Sequence, residues 1–346
     1  MIVALGDIHF RDDKPYFKAV SEEVLKWYSS WELNNKDNYL ILLGDLVENA
    51  LLTGTVADYL EKFSIYSKFK EVHICVGNHD IRKANDENQL AYEFLRNKNK
   101  PNFIIHDSLE IVDVGGCRTL FLPYYKGLNF YGRTMTDYYS NLYKEKAYKT
   151  HFDLAVGHFN DETISFGNES DCVRNLDKLD CDKLILGHIH TRSINSSTYI
   201  GSVFACKKTE NDERRCAMVK DENGWREIYL PKFNEFLPVI YPNKLPKSNA
   251  LIPIYTVLNC ASESMALSKY GRIFIRKTSV ETSEIVRKRT LGFEKDFENI
   301  KNMNYPAMLD SFFKAPENTY DPEVVFESKA LIEKYTAEKS GKAQAV

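Results

Sequence analysis

The sequence lacks any apolar run approaching the roughly 18–20 residues a membrane helix needs, which argues against a helical membrane protein. It also lacks a CxxC pair, and its 7 cysteines are an odd number. That spacing argues against a structural zinc site or a disulfide framework. Cys75 and Cys206 lie in or beside apolar segments and read as buried thiols in a reducing cytoplasm. A basic excess is missing too. The formal net charge is −3, which is not the profile of a small autonomous nucleic-acid-binding module. If nucleic acid is the substrate, local basic patches, metal ions or a partner chain must supply the contacts. No GxxxxGK(S/T) loop is present, so any ATP dependence has to come from another chain. The first apolar strand opens at Ile2, which leaves no room for a leader and fits a cytoplasmic protein.

What is present suits one large globular domain with an appendage, at 346 residues of which 43% are hydrophobic and 27% charged. Strands are predicted at Ile2–Leu5, Tyr39–Leu43, Val72–Val76, Phe103–Ile105, Asp153–Val156 and Lys183–Leu186. Phe17, Val20, Val24 and Trp27 or Tyr28 recur at helical spacing behind Asp13 and Pro15. Gly115-Gly116 joins Leu109–Val114 to Arg118–Leu122 as a hairpin, and Asn223-Gly224 joins Ala217–Val219 to Trp225–Leu230. Helices between strands, plus hairpins, predict a layered α/β sandwich. After Pro231 the composition shifts. Pro238, Pro242, Pro246 and Pro253 mark a connecting segment over residues 232–253. A small β-α-β pattern follows, with strands at Tyr255–Asn259 and Arg272–Arg276 and a short helix over 262–269. The last fifty or so residues read as polar and helical, with Phe326, Leu331, Ile332 and Tyr335 as an apolar stripe. The expected division is therefore 1–231, 232–285 and 286–346.

Five apolar strands each run into a glycine followed by a polar cluster. These are Gly6-Asp7-Ile8-His9, Gly44-Asp45, Gly77-Asn78-His79-Asp80, Gly157-His158 and Gly187-His188-Ile189-His190. Neighbouring strands of a sheet bring such ends together on one rim, where open α/β sheets place their ligands. Side chains at i and i+2 of an extended segment share a face, so Asp7-x-His9 and His188-x-His190 each offer two donors to one side. A carboxylate such as Asp45 can bridge two cations. A lone Asp-x-His is ordinarily a surface turn, and Asn or Asp after a strand suits a turn as well. The joint pattern outweighs that reading, because 5 of the 8 histidines fall in these clusters. His73, His106 and His151 have no such setting and read as ordinary.

This ordered set resembles the calcineurin-like metallophosphoesterase superfamily over about residues 1–205. The resemblance implies a four-layer α/β/β/α sandwich with a small α+β capping domain and a helical C-terminal tail. It also implies two divalent metal ions, one held by Asp7, His9, Asp45 and His190, the other by Asp45, Asn78, His158 and His188. His79 would sit over the substrate phosphate, with Asp80 orienting its imidazole. Mixed imidazole, carboxylate and amide donors favour Mn²⁺, Fe²⁺ or Zn²⁺ over Mg²⁺, with Mn²⁺ foremost.

Within that superfamily the chain resembles the SbcD-type DNA-processing nucleases in a compact, phage-like form. The resemblance is carried by Tyr199-Ile200-Gly201-Ser202 after the last metal motif, by Leu122-Pro123-Tyr124 after the hairpin, and by the small domain and tail that follow. It implies hydrolysis of DNA phosphodiesters in repair, recombination or replication, by a water activated between two metals. It further implies an SMC-like ABC ATPase partner gripped by residues 286–346, and a homodimer within a heterotetramer. Two features depart from the relatives. The segment Gly44-Asp45-Leu46-Val47-Glu48 ends in Glu where the family commonly has Asp or His, and the chain is short. The absence of Asp-Arg-Gly after Asp45 argues against the Ser/Thr phosphoprotein phosphatases.

For DNA contacts, residues 124–149 interleave tyrosines with Lys144, Lys146 and Lys149, although the tyrosines also suit a packed helix face. Lys207 and Lys208 form a second candidate patch, against the reading of a solvated loop. Two rival functions keep the same centre: a small-molecule phosphodiesterase, and a DNA-clamping subunit whose catalysis is dispensable.

Overall fold

The computed structural model describes residues 1–84, 87–97, 102–124, 150–161, 172–173, 176, 179–194, 198–211, 214–258, 265, 269–270 and 274–277. The chain divides into two units, residues 1–258 with 263–277 and residues 259–262 with 278–346. The second unit, and with it the tail expected over 286–346, lies outside the described residues.

The first unit is mixed α/β with several sheets and few helices. One six-stranded sheet runs in the order Gly224–Tyr229, Cys216–Asp221, Ile2–Leu5, Tyr39–Leu42, Glu71–Cys75, Phe103–His106. Its last four strands are mutually parallel, and Cys216–Asp221 is antiparallel to Ile2–Leu5. A second six-stranded sheet runs Ser193–Ile194, Thr198–Tyr199, Leu184–Gly187, Leu154–His158, Cys117–Leu122, Glu110–Val114. The two hairpins form where their glycine turns place them.

Strands such as Ile2–Leu5 and Tyr39–Leu42 are apolar throughout because both faces are covered. Alternation sorts their side chains. Ile2, Ala4 and Ile41 pack with Phe121, Leu154, Val156 and Ile185 of the second sheet in one core cluster. Val3, Leu5, Leu40 and Leu42 point the other way, into a cluster with two helices. Helix Pro15–Ser30 starts with its proline at the first turn, where no amide partner is lost, and buries Phe17, Val20, Val24 and Tyr28. Helix Gly54–Tyr66 was not expected. Its signals are Thr53, whose side chain accepts from Val56 N at 3.2 Å, and the spacing of Val56, Leu60 and Phe63. Helix, sheet and sheet thus account for three of the four expected layers. A helical layer over the second sheet is not assigned among the described residues.

Residues 234–240 correct the expectation of a connecting segment. They form a strand, Asn234–Ile240, in a three-stranded parallel sheet with Ile252–Leu258 and Phe274–Lys277. Pro238 is tolerated because this strand is at the sheet edge, where a missing N–H costs no ladder bond. The short helix expected over 262–269 lies mostly outside the described residues. Among them, no helix is long and apolar enough to cross a membrane, and no disulfide forms; Cys75, Cys117 and Cys216 are buried thiols.

Candidate metal centre

The five glycine-led clusters converge at the carboxyl ends of the parallel strands. Backbone bonds lace them together before any side chain is considered. Ile8 N and His9 N both donate to the Asp45 carbonyl, at 3.1 and 2.9 Å, and Phe10 N donates to Leu46 O at 3.0 Å. His188 N donates to Asp7 Oδ2 at 3.1 Å, and His79 N to Asp45 Oδ1 at 2.8 Å. Gly77 is required here: a Cβ at that position would run into the backbone N and Oδ1 of Asp45. A Cβ on Gly187 would likewise meet Leu43 O, Asp7 Oδ1 and His158 Nδ1.

The side chains form two donor groups that share Asp45. In the first, His9 Nε2 lies 3.0 Å from His190 Nε2 and 3.7 Å from Asp45 Oδ2, and His190 Nε2 lies 3.8 Å from Asp7 Oδ2. In the second, Asn78 Oδ1 lies 3.0 Å from His158 Nε2 and 2.9 Å from His188 Nδ1, and His158 Nε2 lies 3.2 Å from Asp45 Oδ2. The triads Asp7, His9, Asp45 and Asp45, His158, His188 each hold their donor atoms within 4.8 Å of one another. Ligand bonds of about 2.0–2.2 Å to a divalent ion span such separations, so the donors present fit one ion per group. Burial sharpens the case. Asp7, His9, Asp45 and His158 are at most 1% exposed, and that much charge and polarity is expensive to bury without a purpose.

The electrostatics follow from crowding. Burial raises the Asp45 carboxyl, but the imidazoles of His158, His9 and His79 outweigh it and leave Asp45 below the usual carboxylate range. Burial lowers His158, yet the Asp45 and Asp7 charges bring it up to about 9. His188 is down to about 3, through burial and the neighbouring imidazoles.

His79 sits at the edge of the centre, its ring 5.1 Å from that of His9. Its Nδ1 meets the Glu48 carbonyl at 2.6 Å. Asp80 does not orient this imidazole, contrary to expectation. Its carboxylate turns inward and accepts from Gly77 N at 2.9 Å, Val47 N at 3.3 Å and Tyr92 Oη at 3.0 Å. Burial and the nearby Asp45 charge push it up to about 7. Asp80 therefore ties the loop after Tyr39–Leu42 to the loop after Glu71–Cys75, and a backbone carbonyl does the orienting.

Several participants carried no clear sequence signal. Glu210 meets His190 Nδ1 at 3.2 Å, Arg215 reaches both Glu210 and the His190 carbonyl, and Cys206 joins His9 and His190 in one donor cluster. Nothing in their spacing marks them, since the contacts are made across a turn. Glu48 stood out only as a departure from the relatives. Its carboxylate lies 3.1 Å from His9 Nδ1. Lys207 and Lys208 are exposed, on the turn that carries Glu210. Lys144, Lys146 and Lys149 lie outside the described residues.

The sequence model of the calcineurin-like phosphoesterase family matches residues 1–192, more than half of the chain. The chain belongs to the calcineurin-like phosphoesterase family. Membership makes it a metal-dependent hydrolase, in keeping with the buried His and Asp donors. A comparison with curated proteins gives no match. Solved structures similar to this phosphoesterase include the phosphopantetheinyl hydrolase PptH from Mycobacterium tuberculosis, 15% identical over 66% of this chain and 95% of that one, with a TM-score of 0.38. Another is the protein of unknown function AQ665 from Aquifex aeolicus, 17% identical over 50% of this chain and 88% of that one, with a TM-score of 0.29. Neither likeness bears on the substrate.

Proposed function

We propose that this phosphoesterase hydrolyses DNA phosphodiesters at a pair of divalent ions, with Mn²⁺ the expected metal, as the nuclease subunit of an SbcD-type complex. One observation carries the two-metal reading: Oδ2 of Asp45 is within 3.7 Å of His9 Nε2 and 3.2 Å of His158 Nε2, between the two donor groups. When bound, such a pair of ions supplies an activated water and offsets charge on the phosphoryl oxygens. Asp7, His9, Asp45 and His190 would hold one ion; Asp45, Asn78, His158 and His188 would hold the other. The His79 Nδ1–H donates to the Glu48 carbonyl, so Nε2 is left to meet the substrate. In that tautomer Nε2 donates to a phosphoryl or leaving oxygen only as the imidazolium.

The reading of DNA as the substrate rests on the sequence resemblance, and the segments that carry it lie beside the centre. Tyr124 N, closing Leu122-Pro123-Tyr124, donates to Val76 O at 2.8 Å, beside the Gly77-Asn78 loop. Ser202 N donates to His190 O at 3.2 Å and Val203 N to Asp7 O at 2.9 Å, which seats the Gly201-Ser202 segment against the first donor group. Exposed Lys207 and Lys208 add two cations on the turn that reaches His190. Lys144, Lys146 and Lys149, an SMC-like ATPase and a dimeric assembly belong to the same proposal.

The test is divalent-metal-dependent digestion of duplex DNA, with and without the ATPase, beside a panel of cyclic and mononucleotides. DNA degradation that Mn²⁺ supports and a chelator abolishes is expected. Rapid turnover of a cyclic nucleotide with no DNA cleavage would make the chain a small-molecule phosphodiesterase. DNA binding without hydrolysis under any divalent metal would make it a clamp.

A further inference from the structure

The two donor groups differ in what stands behind their imidazoles. His190 turns Nδ1 onto Glu210 Oε1 at 3.2 Å, and the other carboxylate oxygen accepts from Cys206 N at 2.8 Å. Arg215 then clamps this pair from both ends. Its Nη2 donates to Glu210 O at 2.9 Å and lies 3.4 Å from Oε2, while Nη1 donates to His190 O at 2.6 Å and Ser202 Oγ at 2.9 Å. On the other side of the same group, Glu48 Oε2 lies 3.1 Å from His9 Nδ1 and 3.1 Å from Arg11 Nη1. Arg11 is fixed in turn by two bonds to the Asp13 carboxylate, at 2.6 and 2.9 Å, and by the face of Phe17 at 4.0 Å.

In the first group His190 is therefore hydrogen-bonded to a carboxylate, while a second carboxylate stands beside the buried His9 Nδ1 without completing a hydrogen bond, and each carboxylate meets an arginine. In the second group, His158 Nδ1 meets the neutral carbonyl of Leu43 at 2.6 Å, and the Asp7 carboxylate stands off at 4.0 Å. His188 turns Nδ1 to its fellow donor Asn78 on the metal side, so that contact is not a backing one. A carboxylate behind a ligating histidine fixes its tautomer, holds the ring in place and raises its basicity. Removing such a partner typically costs roughly 10- to 100-fold in metal affinity. Glu210 and Arg215 are 4% and 7% exposed, and a buried ion pair of that kind gains little stability by itself. Its geometry is spent on His190.

We propose that Glu48 and Glu210 are positioning residues that make the Asp7, His9, His190 pocket the tight metal site, which stays filled. The Asn78, His158, His188 pocket then fills only at higher metal concentration. This rests on the two-metal reading above and is independent of DNA being the substrate.

Equilibrium dialysis of the full-length, metal-stripped chain against Mn²⁺, with bound metal counted by mass spectrometry, tests it. Wild type should bind two ions in classes at least tenfold apart in Kd. His188→Asn should remove the loose class. Glu210→Gln and Glu48→Gln should each weaken the tight class by about 10- to 100-fold and leave the loose class in place, whereas a merely structural role would move neither. Should Glu210→Gln fail to fold, Glu48→Gln carries the same test, because that side chain is 29% exposed. Two equal classes in wild type, or a tight class that survives both substitutions, overturns the proposal and leaves the two-metal reading standing. A wild-type chain that binds one ion or none overturns the two-metal reading itself.

Discussion

His9, Asp45 and His188 hang from backbone in the left-handed region, with φ of 50°, 49° and 79°. Such conformations are uncommon outside glycine, and a residue held in one costs on the order of 1–3 kcal/mol. That three donors of one centre share the feature means the loops are bent to aim side chains, and the surrounding hydrogen bonds hold the bend. The glycines beside them make room for it. Gly77→Ala should lower diester hydrolysis more than about 100-fold and weaken Mn²⁺ binding, because its Cβ would displace Asp45. Gly116→Ala is the matched control. It has φ of 82° but open space around the new Cβ, so it should cost only about 1–2 kcal/mol in stability and leave the rate intact. Equal effects of the two on rate would show that backbone strain, not crowding at Asp45, governs the site. The donor positions were legible in the sequence because each is a polar residue after a strand and a glycine. Glu210 and Arg215 were not, since their contacts depend on how the chain folds back after Ser202. Asp80 was misread for the same reason: adjacency in sequence to His79 says nothing about which way its side chain turns.

At the scale of elements, the strands were legible because burial on both faces writes unbroken apolar runs. The edge strand Asn234–Ile240 was hidden by its proline, and helix Gly54–Tyr66 by a weaker pattern. His73 and His106 read as ordinary in sequence, yet they pair across adjacent parallel strands with ring nitrogens 3.0 Å apart, fully buried and stacked near Phe121. Glu71 and Glu110 take their outer nitrogens at 3.1 and 2.9 Å. Burial first, and then the facing His106, push His73 down to about 4 from its ordinary 6.5. The unfolded chain therefore binds a proton near pH 6.5 that the folded chain refuses until about pH 4. The stabilising contribution is present above pH 6.5 and is lost as the pH falls through 4, on the order of 3 kcal/mol for one such group. His73→Phe keeps the stacking and removes the titration. Its unfolding free energy, followed by urea denaturation from pH 7 to pH 4.5, should fall less steeply than that of wild type. Parallel curves would mean that the pair does not govern acid stability.

At the scale of the whole molecule, all seven donors and His79 belong to the first unit, and residues 278–346 belong to the second. A net charge of −3 leaves little general attraction for a polyanion. On the proposed reading, tight DNA binding would depend on the centre, on local lysines and on a second protein, which the tail is proposed to recruit. If so, chemistry and recruitment are separable by truncation. A chain ending at residue 277 should keep its Mn²⁺ stoichiometry and hydrolyse a small aryl diester within about twofold of the full chain, since every donor and every backing contact is retained. The same truncation should lose co-purification with the SMC-like ATPase and with it the ATP-stimulated digestion of duplex DNA. Both arms are needed. A truncated chain that still binds the ATPase would move the partner surface into the first unit. One that folds and binds metal but no longer cleaves the small diester would show that the tail contributes to the active centre itself.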